Sequence, residues 1–465
     1  MATISSPGIG SGLDVQGIVR QLVALERAPI QQLQTQASSF QTKLSTYGTI
    51  KSQVAAMGEA AAKLSNSSGW NAVTATSSNA AAIGVTATAG APATSFTMQV
   101  SQLAKAQSTA SAPVTTGSAI GAGTLTIELG QWSDPDPTVG TVASVNVTVA
   151  ASDTLSTIAS KINDAGAGVS ATVLRDASGE RLLVRSNSTG EANGFRISAA
   201  GASGLSRLAF NPGIPNPSGQ TLTQAGQNAL ATVNNVPISS ASNRLADSLP
   251  GMTIQLQQVS ALPVEISVST DVEAIKKNVK AFVDSYNVLS ANLANATRYD
   301  ETTKKAGPLQ ADSTAVGLQN AFRGMMRSVT SSAPFGRLSD IGIEMKLGGQ
   351  LEINPTKFDS ALSNLDGLKG LFTTATGVAG TEGFGLKLKR FADGLLAADG
   401  MVSTRTEGIQ RSIDRNGREQ ERVNERATRV EAQLLRQYNA MDATVGRLNG
   451  LNAFVSQQIT LWNKS

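Results

Sequence analysis

Few side chains in this 465-residue sequence could carry out chemistry, and the first candidates are two carboxylates. Asp134 and Asp136 lie two residues apart in a DPDP segment. A pair of carboxylates that faces a cleft could hydrolyse a glycosidic bond, as in a peptidoglycan hydrolase. Alternating aspartate and proline are typical of a turn, however, and no cleft pattern surrounds them. We interpret the pair as turn residues and expect no catalytic residue here.

A second acidic group suggests calcium. Asp300, Glu301 and Asp312 supply oxygen ligands, but their spacing differs from that of a calcium-binding loop, so we interpret them as polar turn residues. The sequence contains no histidine and no cysteine. Ser-His and Cys-His nucleophiles, and zinc sites built from these residues, are therefore excluded within the chain. We expect no metal, no cofactor and no enzymatic activity.

Glycines at positions 8, 10 and 12 could belong to a phosphate-binding loop. Their spacing matches neither the dinucleotide fingerprint nor the P-loop, and no strand pattern precedes them. The apolar segment that follows is interrupted by polar residues and lacks the basic leader of a secretory signal. We therefore predict an amphipathic helix over this segment. Pro29 predicts that the helix breaks at Ala28.

The composition is that of a structural protein. Only 4% of residues are aromatic and 15% are charged, and the formal net charge is +4. The basic residues are not interleaved with aromatic ones, so we expect no nucleic-acid partner. No apolar run approaches the length of a membrane span, so we expect no membrane partner.

Two long helices are predicted near the ends of the chain, because apolar residues recur at steps of three, four or seven. In the second predicted helix, a run of positively and negatively charged residues precedes the apolar ones and is typical of a solvated helix face. The first stripe comprises Ile18, Leu22 and Leu25, then Ile30, Leu33, Ala37, Phe40, Leu44, Tyr47, Ile50, Val54, Met57, Ala61 and Leu64. The second comprises Ala427, Leu434, Met441, Leu448, Val455 and Trp462, reinforced by Ile459.

The stretch between these helices, about residues 75 to 270, alternates Val, Thr, Ile and Ser and predicts a β-rich region. Asn234-Asn235 predicts a hairpin turn, because asparagine tolerates positive φ. Residues 154 to 197 predict a helix followed by a hairpin that turns at Asp176 to Gly179. A further hairpin is predicted at 340 to 355, with a Gly348-Gly349 turn and Asn354 capping the next helix.

Five strings occur in order along nearly the whole chain. They are SPGIGSGLDVQGIVRQLVALERAPI (6 to 30), GQNALATVNNVPISSASNRLADSLPGMTIQL (226 to 256), RYDETTKKAGPLQADS (298 to 313), DIGIEMKLGGQLEI (340 to 353) and the C-terminal heptads. Together they resemble the filament cap family of the bacterial flagellum, also called hook-associated protein 2. The segment around Ile162-Asn163 looks like the flagellin hook motif named for that pair.

The resemblance implies a multidomain α+β fold, with a coiled-coil leg formed by the N- and C-terminal segments and β-rich head domains inserted between them. The implied divisions are terminal helices at 1–42 plus 415–465, disordered in the monomer; a helical leg with a small hairpin at 43–76 plus 272–414; a β-rich head at 77–108 plus 222–271; and an inserted outer head at 109–221 that contains the hook motif.

The resemblance also implies a structural cap at the distal end of the filament. Such a protein promotes flagellin folding and polymerisation at the growing tip and prevents loss of monomer. The implied partners are further copies of the chain in a ring, with five the expected number, flagellin, the hook-filament junction protein, the flagellar type III export apparatus and a dedicated chaperone. The expected location is outside the cell.

The apolar stripes are the expected assembly interface, because an amphipathic helix with its stripe in water gains too little to offset its ordering entropy. The expected interface residues are Ile18, Leu22, Leu25, Leu33, Phe40, Leu434, Met441, Leu448, Val455, Ile459 and Trp462. Two alternatives remain open from the sequence. One is another axial protein, a junction protein or flagellin, and the other is an adhesin at the filament tip.

Overall fold

A computed structural model of the chain describes residues 14–132 and 144–463, except the single positions 213, 215, 247, 303 and 379. Asp134, Asp136 and the glycines at 8, 10 and 12 lie outside the described residues. The chain divides into two compact units. We call residues 71–274 the β-rich unit, and the segments before and after it the helical unit.

The described residues contain eight α-helices and nineteen strands, numbered in chain order. The helices are α1 Val15–Ser65, α2 Leu155–Asp164, α3 Val272–Thr297, α4 Ser313–Met326, α5 Pro355–Leu362, α6 Leu365–Thr373, α7 Phe384–Leu396 and α8 Met401–Trp462. The strands are β1 Val73–Ser77, β2 Ile83–Ala87, β3 Thr94–Gln102, β4 Ser108–Ala110, β5 Gly123–Gly130, β6 Val145–Val149, β7 Val169–Asp176, β8 Gly179–Ser186, β9 Gly194–Gly201, β10 Thr221–Gln224, β11 Ala229–Val233, β12 Val236–Ser240, β13 Arg244–Leu245, β14 Met252–Leu256, β15 Val264–Thr270, β16 Tyr299–Asp300, β17 Lys305–Ala306, β18 Ile343–Met345 and β19 Leu351–Ile353. This arrangement confirms the predicted fold class, with long terminal helices and β-rich structure between them.

The main apolar core of the helical unit is built from the second half of α1 and from α3 to α8. The stripe of α1 enters this core from Tyr47 to Leu64, and Trp70 closes it by donating its indole N–H to the Leu64 carbonyl at 2.8 Å. Gly58 allows α1 and α7 to approach closely, since a Cβ at this position would lie 2.9 Å from the Cβ of Ala392. The predicted three-and-four spacing therefore marks a buried face.

The predicted break at Ala28 is wrong, because α1 continues through Pro29. Proline removes one helical hydrogen bond and crowds the preceding turn. The helix is held on both sides of the proline by α8: Glu26 pairs with Arg426 at 2.9 Å, and the Leu33 carbonyl accepts a hydrogen bond from Asn416 at 3.0 Å. A cavity of about 480 Å³ lies beside Pro29 between the two helices. Tertiary contacts thus outweigh the local preference of the proline.

The β-rich unit contains two separate apolar cores. The first lies under a five-stranded sheet of order β1-β15-β3-β11-β12 and a three-stranded sheet of order β13-β14-β2. The predicted hairpin at Asn234-Asn235 is confirmed: β11 and β12 pair antiparallel, and the two asparagines have φ of 47° and 64°. The first and last strands, β1 and β15, are antiparallel neighbours, and Asp271 N–H donates to the Ala72 carbonyl at 2.8 Å.

The second core belongs to the inserted segment, with sheets of order β10-β4-β8-β7 and β6-β5-β9 and the helix α2. The predicted helix and the hairpin at Asp176 to Gly179 are confirmed. Ile162 is fully buried in this core. The Asn163 amide accepts from the Ala171 N–H at 2.7 Å and donates to the Ala171 carbonyl at 2.9 Å. The isoleucine-asparagine pair therefore fixes α2 to β7.

The late hairpin is also confirmed. Strands β18 and β19 pair antiparallel, and Gly348 and Gly349 in the connecting turn have φ of 92° and 89°. Such backbone angles favour glycine. Asn354 caps α5 by accepting from the Lys357 N–H at 3.1 Å, with Pro355 in the first turn.

Candidate assembly surface

Helices α1 and α8 of the helical unit run antiparallel, because contacts move towards the start of α1 as they move towards the end of α8. Leu33 meets Asn416, and Glu26 meets Arg426. Further along, a small apolar cluster joins the helices. It consists of Val15, Val19, Val23 and Ala427, with Leu434, Leu435 and Tyr438 packed against it.

The expected interface residues of α1 are divided among different environments. Ile18, Leu22, Leu33 and Phe40 are half-buried, and Phe40 packs on the core of the helical unit. Leu25 is 71% exposed. The expectation that this stripe lacks a partner within one chain is wrong for its first turns, because the valines beside Ile18 and Leu22 pack against α8. Whether these helices are ordered in a dilute monomer stays a prediction.

The expected residues of α8 fall into two groups. Leu434 is half-buried in the cluster with α1. Met441, Leu448, Val455 and Ile459 are 38 to 59% exposed. The side chain of Trp462 lies outside the described residues. The seven-residue repeat of α8 therefore has a partner in the described chain as far as Tyr438, and its later members are open to solvent.

Sequence reasoning missed three exposed apolar residues on the same part of α8. Leu451, Phe454 and Leu461 are 57 to 61% exposed. The absence of charge could have identified them in the sequence, because residues 448 to 463 contain no Lys, Arg, Asp or Glu. A contiguous apolar surface without charge is typical of a protein interaction site. We call residues 441–462 the α8 end segment.

The α8 helix is also tied to the helical unit by a buried carboxylate. Asp312 caps α4 by accepting from the N–H groups of Thr314 and Ala315 at 3.1 and 3.2 Å. Its first carboxylate oxygen also accepts from the Tyr47 hydroxyl of α1 at 2.7 Å. Its second accepts from the Arg405 guanidinium of α8 at 2.6 and 3.1 Å. One side chain therefore joins α1, α4 and α8.

The electrostatics of this cluster follow from its contacts. Burial acts to raise the pKa of Asp312, but the hydrogen bonds from Tyr47 and Arg405 outweigh it and hold that pKa below its usual range. Burial and the hydrogen bond to Asp312 raise the pKa of the Tyr47 phenol. Asp312 does end a turn, since its N–H donates to the Leu309 carbonyl at 3.0 Å, but the interpretation missed that its side chain is only 3% exposed and joins three helices. Asp300 is the last residue of β16, and its carboxylate accepts from the Thr302 N–H of the turn that follows at 3.0 Å.

Within the described part of the chain, no group of His, Cys, Asp or Glu residues could hold a metal ion. Over the same residues, no helix is long and apolar enough to cross a membrane. The chemically notable groups are thus structural carboxylates and an apolar helix surface.

Comparisons with known families and proteins agree with this architecture. Residues 11–107 match the flagellar hook-associated protein 2 N-terminus, and residues 226–450 match the flagellar hook-associated protein 2 C-terminus. The flagellar hook-associated protein 2 of Escherichia coli strain K12 is 30% identical over 98% of both chains. The chain belongs to the flagellar hook-associated protein 2 family. The resemblance seen in the sequence is thereby confirmed.

Two further similarities support membership of the hook-associated protein 2 family. The B-type flagellar hook-associated protein 2 of Pseudomonas aeruginosa is 29% identical over 95% of this chain and 94% of its own length. The crystal structure of the flagellar cap protein FliD D1-D2-D3 domains from Escherichia coli has a TM-score of 0.62 and 30% identity, and covers 78% of this chain and 99% of that one.

The inserted segment has its own match. Residues 137–188 match the flagellin hook IN motif, which includes the Ile162-Asn163 pair. Membership of the hook-associated protein 2 family identifies a structural protein, the cap of the flagellar filament, which lies outside the cell at the tip of the flagellum.

Proposed function

We propose that this chain caps the filament as a ring of copies, with five the expected number, and that the α8 end segment anchors it. Flagellin would fold and polymerise beneath the ring. The observation that carries this proposal is the exposed seven-residue repeat of the α8 end segment. The segment extends about 36 Å past Tyr438 at 1.5 Å per residue. Burying each large apolar side chain would contribute about 1.5 to 3 kcal/mol.

The division of labour follows the domain boundaries expected from the sequence. We propose that terminal helices at 1–42 and 415–465 form the anchor, and that residues 43–76 and 272–414 form the leg. Residues 77–108 and 222–271 would form the head, and residues 109–221 the outer head. The two separate apolar cores of the β-rich unit support the last division.

The remaining proposed partners act in export of the chain from the cell and in assembly at the filament. We propose contacts with flagellin, the hook-filament junction protein, the flagellar export apparatus and a dedicated chaperone. Catalysis has no part in this proposal. The family is structural, and the charged cluster at Asp312 is occupied by hydrogen bonds that join helices.

The anchoring role can be tested with a matched pair of α8 variants. Leu448→Asp with Val455→Asp adds two charges, seven residues apart, on the exposed apolar face. Ala453→Asp with Thr460→Asp adds the same charges at the same spacing, about 140° away around the helix. In cells that lack the native cap, the first pair should abolish filament growth and release flagellin monomer into the medium. The control pair should support filaments.

The readouts are filaments counted by microscopy and secreted flagellin measured by immunoblot, with export of each variant verified in the medium. Charge in a buried interface is strongly unfavourable, so a severe loss is expected from the first pair alone. Normal filaments with Leu448→Asp and Val455→Asp would contradict the anchoring role. Equal loss with both pairs would contradict the assignment of the apolar face.

A further inference from the structure

The turn between β18 and β19 carries a leucine that is fully exposed to solvent. Leu347 lies between Lys346 and Gly348, at the tip of the small hairpin of the helical unit. It is the most exposed large apolar side chain in the described part of the chain. A single exposed leucine is common on protein surfaces. The residues around Leu347 distinguish it from an ordinary exposed leucine.

The turn that carries Leu347 is held in place by the helices behind it. The Gly349 carbonyl accepts from the Tyr286 hydroxyl at 2.9 Å, and the Gly348 carbonyl accepts from the Arg323 guanidinium at 2.7 Å. The Asn287 amide bonds both the N–H and the carbonyl of Leu351, at 2.7 and 2.8 Å. A rigid turn loses little conformational entropy on binding, so Leu347 is preorganised as an anchor.

Unpaired positive charge lies beside this anchor. Arg323 and Arg327 line a cavity of about 450 Å³ next to the turn. Neither arginine forms an ion pair with any of the described residues, whereas Lys346 is paired with Glu344 and Glu352. Arginine side chains form strong charge-assisted hydrogen bonds with carboxylates, so this cationic cavity suits a carboxylate from a partner.

We infer that Leu347 and the adjoining arginine cavity dock onto the β-rich unit of a second copy of this chain. The choice of partner rests on charge. Residues 71–274 contain 8 Lys and Arg against 12 Asp and Glu, a net charge of −4, whereas the rest of the chain contains 30 against 22, a net charge of +8. The cationic cavity of one copy therefore complements the acidic unit of the next.

This inference rests on the proposed function, because it assigns one contact of the proposed ring. The two surfaces lie on different units, so each copy uses one surface to bind and offers the other. Such a head-to-tail contact forms a closed ring when the rotation between copies closes. The anchor side chain would enter an apolar depression on the partner, and a partner carboxylate would accept from Arg323 and Arg327.

The direct test is photocrosslinking of the full chain. Leu347 is replaced by p-benzoylphenylalanine, and isotopically light and heavy protein are mixed before illumination. We expect crosslinks between light and heavy copies that join position 347 to residues 71–274. Crosslinks that end only within the helical unit of a second copy would overturn the inference, and so would crosslinks that form only with added flagellin.

Sedimentation velocity provides the quantitative test. Leu347→Asp and Arg327→Gln should each weaken self-association of the full chain by about tenfold or more, as expected for an anchor residue and its charged neighbour. Met401→Asp is the matched control. Met401 is also an exposed apolar residue of the helical unit, and an acid in the first turn of α8 is favourable for the helix. Its self-association should equal that of the unchanged protein.

Unchanged thermal unfolding of Leu347→Asp would verify that the variant folds, since the side chain is fully exposed. Unchanged self-association of Leu347→Asp would overturn the inference whatever the filament assay gives. The anchoring proposal is tested separately by the α8 variants. Intact filaments with Leu347→Asp would therefore leave the cap function standing.

Discussion

Replacing Asp312 by alanine should destabilise the helical unit by about 3 to 5 kcal/mol. The substitution removes the cap of α4, and loss of an N-cap costs about 0.5 to 2 kcal/mol. It also leaves the buried Tyr47 hydroxyl without its acceptor, which costs about 1 to 3 kcal/mol. Arg405 loses its partner too, but its side chain is 40% exposed and water can replace part of that interaction.

Asp312→Asn separates these contributions. Asparagine caps helices about as well as aspartate and still offers an oxygen to Tyr47, so mainly the charge opposite Arg405 is lost. We expect a cost of about 1 to 2 kcal/mol for this variant, roughly a third of the alanine effect. At about 2 to 4 °C per kcal/mol, the alanine variant should melt roughly 10 °C lower.

The assay is thermal unfolding followed by circular dichroism, repeated by urea titration so that a change in midpoint can be distinguished from a change in slope. Unfolding of the β-rich unit is followed in parallel by hydrogen exchange, because Asp312 belongs to the helical unit. An alanine variant destabilised by less than about 1 kcal/mol would refute the view that this carboxylate joins the three helices. Equal effects of alanine and asparagine would refute the contribution assigned to the cap and Tyr47.

Two further predictions concern acid and the hook motif. The pKa of Asp312 is lower in the folded protein than in the unfolded one. Its stabilising contribution is therefore present above the unfolded pKa of about 3.9 and is lost as the pH falls through the folded value. The acid-induced loss of stability should be shallower in Asp312→Asn, and identical pH profiles of the two proteins would contradict this. Asn163→Ala should destabilise the inserted segment by about 1 to 3 kcal/mol, because the N–H and the carbonyl of Ala171 both lose their hydrogen-bond partner. Hydrogen exchange should show faster exchange of the Ala171 amide and unchanged exchange in α3. Unchanged protection of the Ala171 amide would contradict the prediction.

The features that could be predicted from the sequence are those that depend on near neighbours. The stripes of α1 and α8 and the turns at Asn234-Asn235 and Gly348-Gly349 each arise from residues a few positions apart, and the structure has all of them. A periodic stripe identifies a face, but it does not identify what covers that face. The packing of Val15 to Val23 against α8 therefore does not follow from the stripe, and only the family resemblance implied that the two terminal segments pair.

The features that could not be predicted depend on distant residues. The Asp312 carboxylate meets Tyr47 and Arg405, which are 265 and 93 positions away along the chain. In the sequence, nothing distinguishes this aspartate from those in exposed turns. The helix break predicted from Pro29 is also wrong because of distant residues. The contacts that hold α1 on both sides of this proline come from α8. The exposed position of Leu347 depends on Tyr286 and Arg323, which belong to separate helices.

The adjacency of β1 and β15 has a consequence for how such a chain can change. The β-rich unit begins and ends on neighbouring antiparallel strands, with Ala72 and Asp271 joined by a hydrogen bond. A module whose two ends meet can be exchanged without moving the ends of the helices that receive it. Insertions, deletions or a wholly different domain between residues 72 and 271 would need only the same short separation of their ends. The chain could therefore serve as a carrier that displays a foreign domain.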